Sequence, residues 1–138
     1  MDERLRESIR QAFAALPDGC RYAPATEAQL RAFEETFGPI PDDFRWFLTE
    51  CGGGVCGSEW IDGMAELAGT HSKFRAESGP GGWTMSDVFV IGWDGGGNPY
   101  GIHRGTGEVV VENHDFGGVH TRAQSLEEFL ARGLLEPG

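Results

Sequence analysis

The stretch VFVIGWDGGGNPYGIHRGTGEVVVE, Val88 to Glu112, decides the fold. Val88-Phe89-Val90-Ile91 is a compact run of β-branched and aromatic residues, the composition of a buried strand. Asp94-Gly95-Gly96-Gly97-Asn98-Pro99 breaks it with turn chemistry. Tyr100 to His103 reads as the next strand, Arg104-Gly105-Thr106-Gly107 as a hairpin loop, and Glu108 to Glu112 as a third strand. The expectation is an antiparallel meander of three or more strands.

Upstream, the period changes from two to helical. Asp2 to Leu16 places Leu5, Ile9, Ala12, Phe13 and Leu16 on one helical face, and Pro17-Asp18-Gly19 ends it. Thr26 and Gln29 fit a capping box ahead of an apolar stripe of Leu30, Phe33 and Phe37. A third helix is expected after Pro41, with Asp42 as its cap and Asp43 in its first turn. Its buried face is Phe44, Phe47, Leu48 and Cys51, and Gly52-Gly53-Gly54 stops it. Trp60-Ile61 reads as a short strand and Met64 to Ala68 as a helical turn or two. From Thr70 to Met85 the pattern dissolves into Gly, Ser and Pro, which reads as a long loop. Downstream, Ser125 and Glu128 suggest a capping box for a last helix with Leu126, Phe129 and Leu130 inward and Gly133 at its end. Helices, then a sheet, then a helix, predict an α+β fold with a twisted antiparallel sheet and helices mainly on one face.

The chain has 138 residues and a net charge of −11, which fits one domain, 1–138. The charge disfavours nucleic acid and anionic membranes as direct partners. It favours a basic protein partner, or it serves solubility alone. The acids are spread along the chain, so an acidic face has to be assembled by folding. Three cysteines, Cys20, Cys51 and Cys56, include no C-x-x-C pair and read as reduced thiols of a cytoplasmic protein. No apolar signal core or membrane-length run is present in the sequence.

Candidate chemistry is sparse. Asp94 and Asn98 can offer oxygens to a hard cation, but the alternating acids and distal Glu of a Ca²⁺ loop are missing, and the glycines suit a tight turn. His114-Asp115 carries an acid–base pattern, yet neighbours on a strand point to opposite faces. The remaining histidines, His71, His103 and His120, form no zinc pattern, and no nucleophile motif appears. No catalytic residue, metal or cofactor is therefore expected. Of the tryptophans, Trp83 in the Gly-rich loop is the candidate exposed anchor. Trp46 caps the core edge or lies exposed. Glu59, Asp62, Glu66, Glu77, Asp87 and Asp94 lie in or beside the least regular part of the chain, where binding residues concentrate. With Trp83 they form the expected partner-binding set.

The order of motifs resembles the SUKH superfamily, the domain shared by cell-wall assembly regulators of the Smi/Knr type and many bacterial immunity proteins. The likeness rests on Thr26-x-x-Gln29-Leu30-x-x-Phe33-Glu34, and on Gly38-Pro39-Ile40-Pro41-Asp42-Asp43-Phe44-Arg45-Trp46-Phe47-Leu48 running into Cys51-Gly52-Gly53-Gly54. It continues in Phe89-Val90-Ile91-Gly92-Trp93-Asp94-Gly95-Gly96-Gly97-Asn98 with Gly107-Glu108-Val109-Val110, and closes on Ala123-x-Ser125-Leu126-x-x-Phe129-Leu130. The stretch from Thr70 to Met85 has no match, and the helix at 2–16 lies outside the recognisable part, at the domain's periphery. The resemblance implies a non-enzymatic binding module: an immunity protein that neutralises a cognate polymorphic-toxin domain, a nuclease among the candidates, by one-to-one inhibition. The alternatives are a regulatory adaptor of the cell-wall regulator type, and a ligand- or metal-binding enzyme with a polar pocket around Asp94, His103 and His114.

Overall fold

A computed structural model describes residues 2–135. The order of elements is α1 (Glu3–Ala14), α2 (Glu27–Phe37), α3 (Asp42–Glu50), β1 (Gly54–Cys56), β2 (Glu59–Ile61), α4 (Met64–Glu77), β3 (Val88–Trp93), β4 (Pro99–His103), β5 (Val109–Glu112), β6 (Val119–Ala123) and α5 (Leu126–Leu134). The fold is α+β. β3 to β6 form a four-stranded antiparallel meander in sequence order, and β1 and β2 form a separate hairpin. The sheet of the Val88–Glu112 stretch is as read, with β6 added beyond it.

Period-two alternation puts Phe89 and Ile91, Ile102, and Val109 and Val111 into one core, with Tyr100 among them. The helices supply the other side: Ile9 and Phe13 from α1, Leu30 and Phe33 from α2, Phe44, Phe47 and Leu48 from α3, and Leu126, Phe129 and Leu130 from α5. α1 is thus not peripheral. Ile9 and Phe13 are fully buried, and the Phe13 ring meets Phe47 edge-on at 5.1 Å between centroids. An amphipathic stripe of that strength has nowhere else to hide its apolar side.

Val90 and Val110 point to the opposite face, where Met85, Phe74 and Val88 cover them. α4 reaches both faces, with Leu67 in the main core and Phe74 against the second cluster. At the outer edge of β3 the His71 ring bonds Val90 O at 2.9 Å, and the Asp62 N–H donates to Ile91 O at 2.8 Å. Tyr100 Oη donates to Trp60 O at 2.6 Å and so ties the β1–β2 hairpin to β4.

Four local expectations change. α4 runs to Glu77, so Thr70 to Glu77 is helix and not loop. The cap of α3 is Pro41, with no side-chain bond, and Asp42 lies in the first turn. Pro41, at φ −54, is preset close to helical φ and suits that place, and both acids still face the positive helix end. At α5, Ser125 Oγ accepts the Glu128 N–H at 3.1 Å, but the Glu128 carboxylate turns to the Gln124 N–H at 2.9 Å. Gly133 lies inside α5 rather than ending it. It is needed there for space: a Cβ would stand 2.3 Å from Cys56 Sγ. Gly52 has the opposite justification as well, since its φ is +89 and a Cβ would meet Tyr22 O at 2.3 Å.

Candidate partner-binding face

The face is built from the end of α4, the 78–87 loop and the turn between β5 and β6. α4 starts with Glu66 reaching back to the Gly63 N–H at 3.1 Å. Its inward row is Leu67, Thr70, His71 and Phe74, at helical spacing. The last turn delivers Glu77 to the surface. Ser78 leaves the helix, and the chain folds back so that the Trp83 N–H reaches Glu77 O at 3.1 Å.

A buried carboxylate fixes this loop. Glu112 on β5 accepts the Thr84 N–H at 2.9 Å, the Thr84 hydroxyl at 3.1 Å and the Met85 N–H at 2.7 Å. Hydrogen-bonding donors aimed at a buried carboxylate make it affordable in the interior. The β5–β6 turn is held by its own asparagine: Asn113 Oδ1 accepts the Asp115 N–H at 2.8 Å and the Phe116 N–H at 3.0 Å. That turn leaves Phe116 88% exposed.

Between loop and turn lies an open groove of about 600 Å³, lined by Glu77, Trp83, Thr84, Glu112, Asn113 and His114, with Gly81, Gly82, Gly117 and Gly118 as low walls. The Trp83 indole N–H donates to Glu77 Oε1 at 3.0 Å. Its ring lies 6.1 Å from Trp93 and 6.2 Å from His114. His114 is set by Asn98, whose Oδ1 accepts the His114 N–H at 2.9 Å. Asn98 is set in turn by Asp94, which accepts the Asn98 and Gly96 N–H groups at 2.9 Å each.

The predicted set is thereby divided. Glu77 and Trp83 meet in the groove, and Asp94 supports it from behind through Asn98 and His114. Trp83 is half-buried rather than standing free. Asp62 and Glu66 gather at the other end of α4 with Tyr22, whose ring is 5.9 Å from Trp60. Burial pushes the Asp62 carboxyl up to about 6, the Thr70 hydroxyl bond works against that, and Glu66 adds to it. Burial, Glu66 and Asp62 raise Tyr22 also. The two ends are joined along α4: Thr70 Oγ donates to Asp62 and accepts the Trp93 indole N–H at 3.3 Å. Glu59 faces Arg122 at 3.9 Å in a separate small pocket. Asp87 stands apart near Arg75 and Arg104, at φ +56, its carbonyl accepting the Arg104 N–H at 2.8 Å.

Three contributors escaped the sequence reading: Glu112, Phe116 and the role of His114. The Asn113-His114-Asp115-Phe116-Gly117-Gly118 turn did carry a signal, since a phenylalanine within turn residues has no core to enter.

Cys51, Cys56 and His71 are turned inward. Burial pushes the Cys51 and Cys56 thiols up to about 12, which keeps them un-ionised and inert. Burial brings the His71 imidazole down to about 4, opposed by its bond to Val90 O, so it is neutral at pH 7. His103 Nδ1 accepts the Gly105 and Thr106 N–H groups at 3.1 and 3.2 Å, which fixes the β4–β5 loop. His103 and His114 line different cavities. Among the described residues, no group of three His, Cys, Asp or Glu side chains has metal-binding geometry, and no helix is long and apolar enough to cross a membrane.

No curated protein shows a match to the chain. The family model described as SMI1 / KNR4 family (SUKH-1) matches residues 24–132, from the segment before α2 into α5. Only α1 and the approach to α2 fall before the matched region, and the match takes in the groove, the β5–β6 turn and the whole meander. With most of its length covered in this way, the chain belongs to the SMI1/KNR4 (SUKH-1) family.

Proposed function

We propose that the chain is an immunity protein that binds a cognate toxin domain of basic character, one to one, and blocks it without chemistry. The SUKH-1 family includes immunity proteins. The observation that carries the reading is Phe116, 88% exposed in the β5–β6 turn, whose next residue, Gly117, lines the groove that presents Trp83. A monomer gains nothing by holding a phenylalanine in water, whereas a partner that covers it gains a buried aromatic anchor. The net charge of −11 steers a basic partner toward the chain. Glu77, Trp83 and Asp94 belong to the contact or support it. Asp62 and Glu66 lie at the other end of α4, and Glu59 and Asp87 lie in other pockets, outside this contact. The partner is met in the cytoplasm, before the toxin reaches its substrate.

Such inhibition calls for a Kd on the order of nanomolar or tighter over an interface of about 1,600 Å². Co-expression with each toxin domain encoded beside the gene tests it. The expected result is rescue of growth by one of them and a one-to-one complex by light scattering. Neither rescue nor complex with any of them would sink the reading. Several weak partners and no rescue would favour a regulatory adaptor instead.

A further inference from the structure

We infer that the groove between Trp83 and His114 is a receptor for one cationic side chain of the partner, an arginine by preference. The inference rests on the reading of the chain as a binder of a basic protein, and it names the chemistry of one contact.

Trp83 presents its indole to the groove, half-buried and held by the bond from Nε1 to Glu77 Oε1 at 3.0 Å. Glu77 is exposed, and its second oxygen has no partner among the described residues. A π face and a carboxylate are therefore side by side. That pairing attracts a cation twice, through the ring quadrupole and through charge. His114 stands 6.2 Å away at 77° to the indole and lines the same groove. No Lys or Arg lines the groove.

A second, independent observation comes from the neighbouring indole. Lys73 Nζ sits 4.4 Å over the Trp93 ring centroid, and Trp93 is 6.1 Å from Trp83. One member of this aromatic pair already carries an ammonium from its own chain. The other faces the groove with its carboxylate and no cation. The low walls matter as well: Gly81, Gly82, Gly117 and Gly118 leave room for a partner's backbone to approach. A planar guanidinium stacks on an indole while its N–H groups reach a carboxylate, which an ammonium does less well.

The test uses isotope-labelled protein and three capped tripeptides, Gly-X-Gly, with arginine, lysine or neutral citrulline at the centre. The Trp83 indole N–H and the His114 ring are followed by NMR. The expected result is a saturable shift confined to Trp83 and His114, strongest with arginine, weaker with lysine and lost with citrulline. Glu77→Gln, which keeps an oxygen for the Trp83 indole, is expected to weaken arginine binding by about five- to tenfold. A citrulline response equal to that of arginine overturns the inference. So does a response spread equally over Trp46, Trp60, Trp83 and Trp93, or no saturable shift at all. The outcomes are separable from the toxin test: a neutralised toxin with silent peptides removes this contact and leaves the proposed function, while peptide binding without any toxin does the reverse.

Discussion

The Glu112 carboxylate accepts the Met85 N–H at 2.7 Å, joining the middle of the sheet to the loop that carries Trp83. Two further donors from Thr84 complete the set. One acid residue on a buried strand thus fixes the floor of the groove.

Glu112→Gln replaces an acceptor-only group with one that also points an NH₂ at these donors. The expected loss is about 1–3 kcal/mol of stability, with faster hydrogen exchange at Thr84 and Met85 than elsewhere in the sheet. Urea denaturation and residue-resolved exchange measure the two effects. Unchanged exchange in the 78–87 loop would contradict the assigned role.

Phe116→Ala separates folding from binding. The side chain touches solvent, so stability is expected to stay within about 0.5 kcal/mol. Affinity for the partner is expected to fall by about 2 kcal/mol or more if the anchor is used. Calorimetry with the purified partner reads this, and an unchanged Kd would place the contact elsewhere.

Two buried groups oppose each other in acid. His71 has a folded value near 4 against an ordinary 6.5, so the unfolded chain takes its proton first and stability falls as pH drops from 6.5 to 4. Asp62 has a folded value near 6 against an ordinary 3.8, so the folded chain takes the proton first and stability rises as pH drops through 6. Each effect is worth roughly 3 kcal/mol at most. Asp62→Asn is expected to steepen the loss between pH 6.5 and 4, and His71→Phe to reduce it. Urea midpoints at several pH values decide; parallel profiles for wild type and both variants would refute the pairing.

Gly133→Ala sets helix propensity against packing. Propensity alone predicts a gain of about 1 kcal/mol. A Cβ 2.3 Å from Cys56 Sγ and 2.9 Å from its carbonyl carbon predicts the opposite sign. A net loss of about 1–3 kcal/mol is expected, partly recovered when Cys56→Ala is added. Thermal denaturation of Gly133→Ala, Cys56→Ala and the double variant checks it, and a Gly133→Ala variant more stable than wild type would refute the clash.

The elements that were legible carry their reason within a few residues. Thr26 and Gln29 satisfy each other's backbone N–H groups at 3.2 and 2.9 Å, as a local rule can foresee. Phe89, Ile91, Ile102, Val109 and Val111 alternate because one face is core. What was hidden depends on distant partners. The inward row of α4 is half polar, because Thr70 answers Asp62 and Trp93 while His71 answers Val90 O. Period counting therefore stopped at Ala68. β6 is mostly exposed, so Val119 to Arg122 shows no core alternation. Gly133 looked like a terminator because Cys56 is near it only in space. The groove has the same cause: Glu112 and its donors are 27 and 28 residues apart, and Glu77, Trp83 and His114 meet only once α4 runs to its full length.

A sheet with two bare margins invites foreign strands, and a long apolar meander invites them most. In this chain the outer margin of β3 is closed by the His71 ring at Val90 O and by the Asp62 N–H at Ile91 O. A strand arriving there finds those two carbonyls taken. The helix that builds the binding face and the segment leading into it therefore also guard the sheet against clumping, and a truncation that stripped both would expose the chain to amyloid-like stacking as well as loss of its partner.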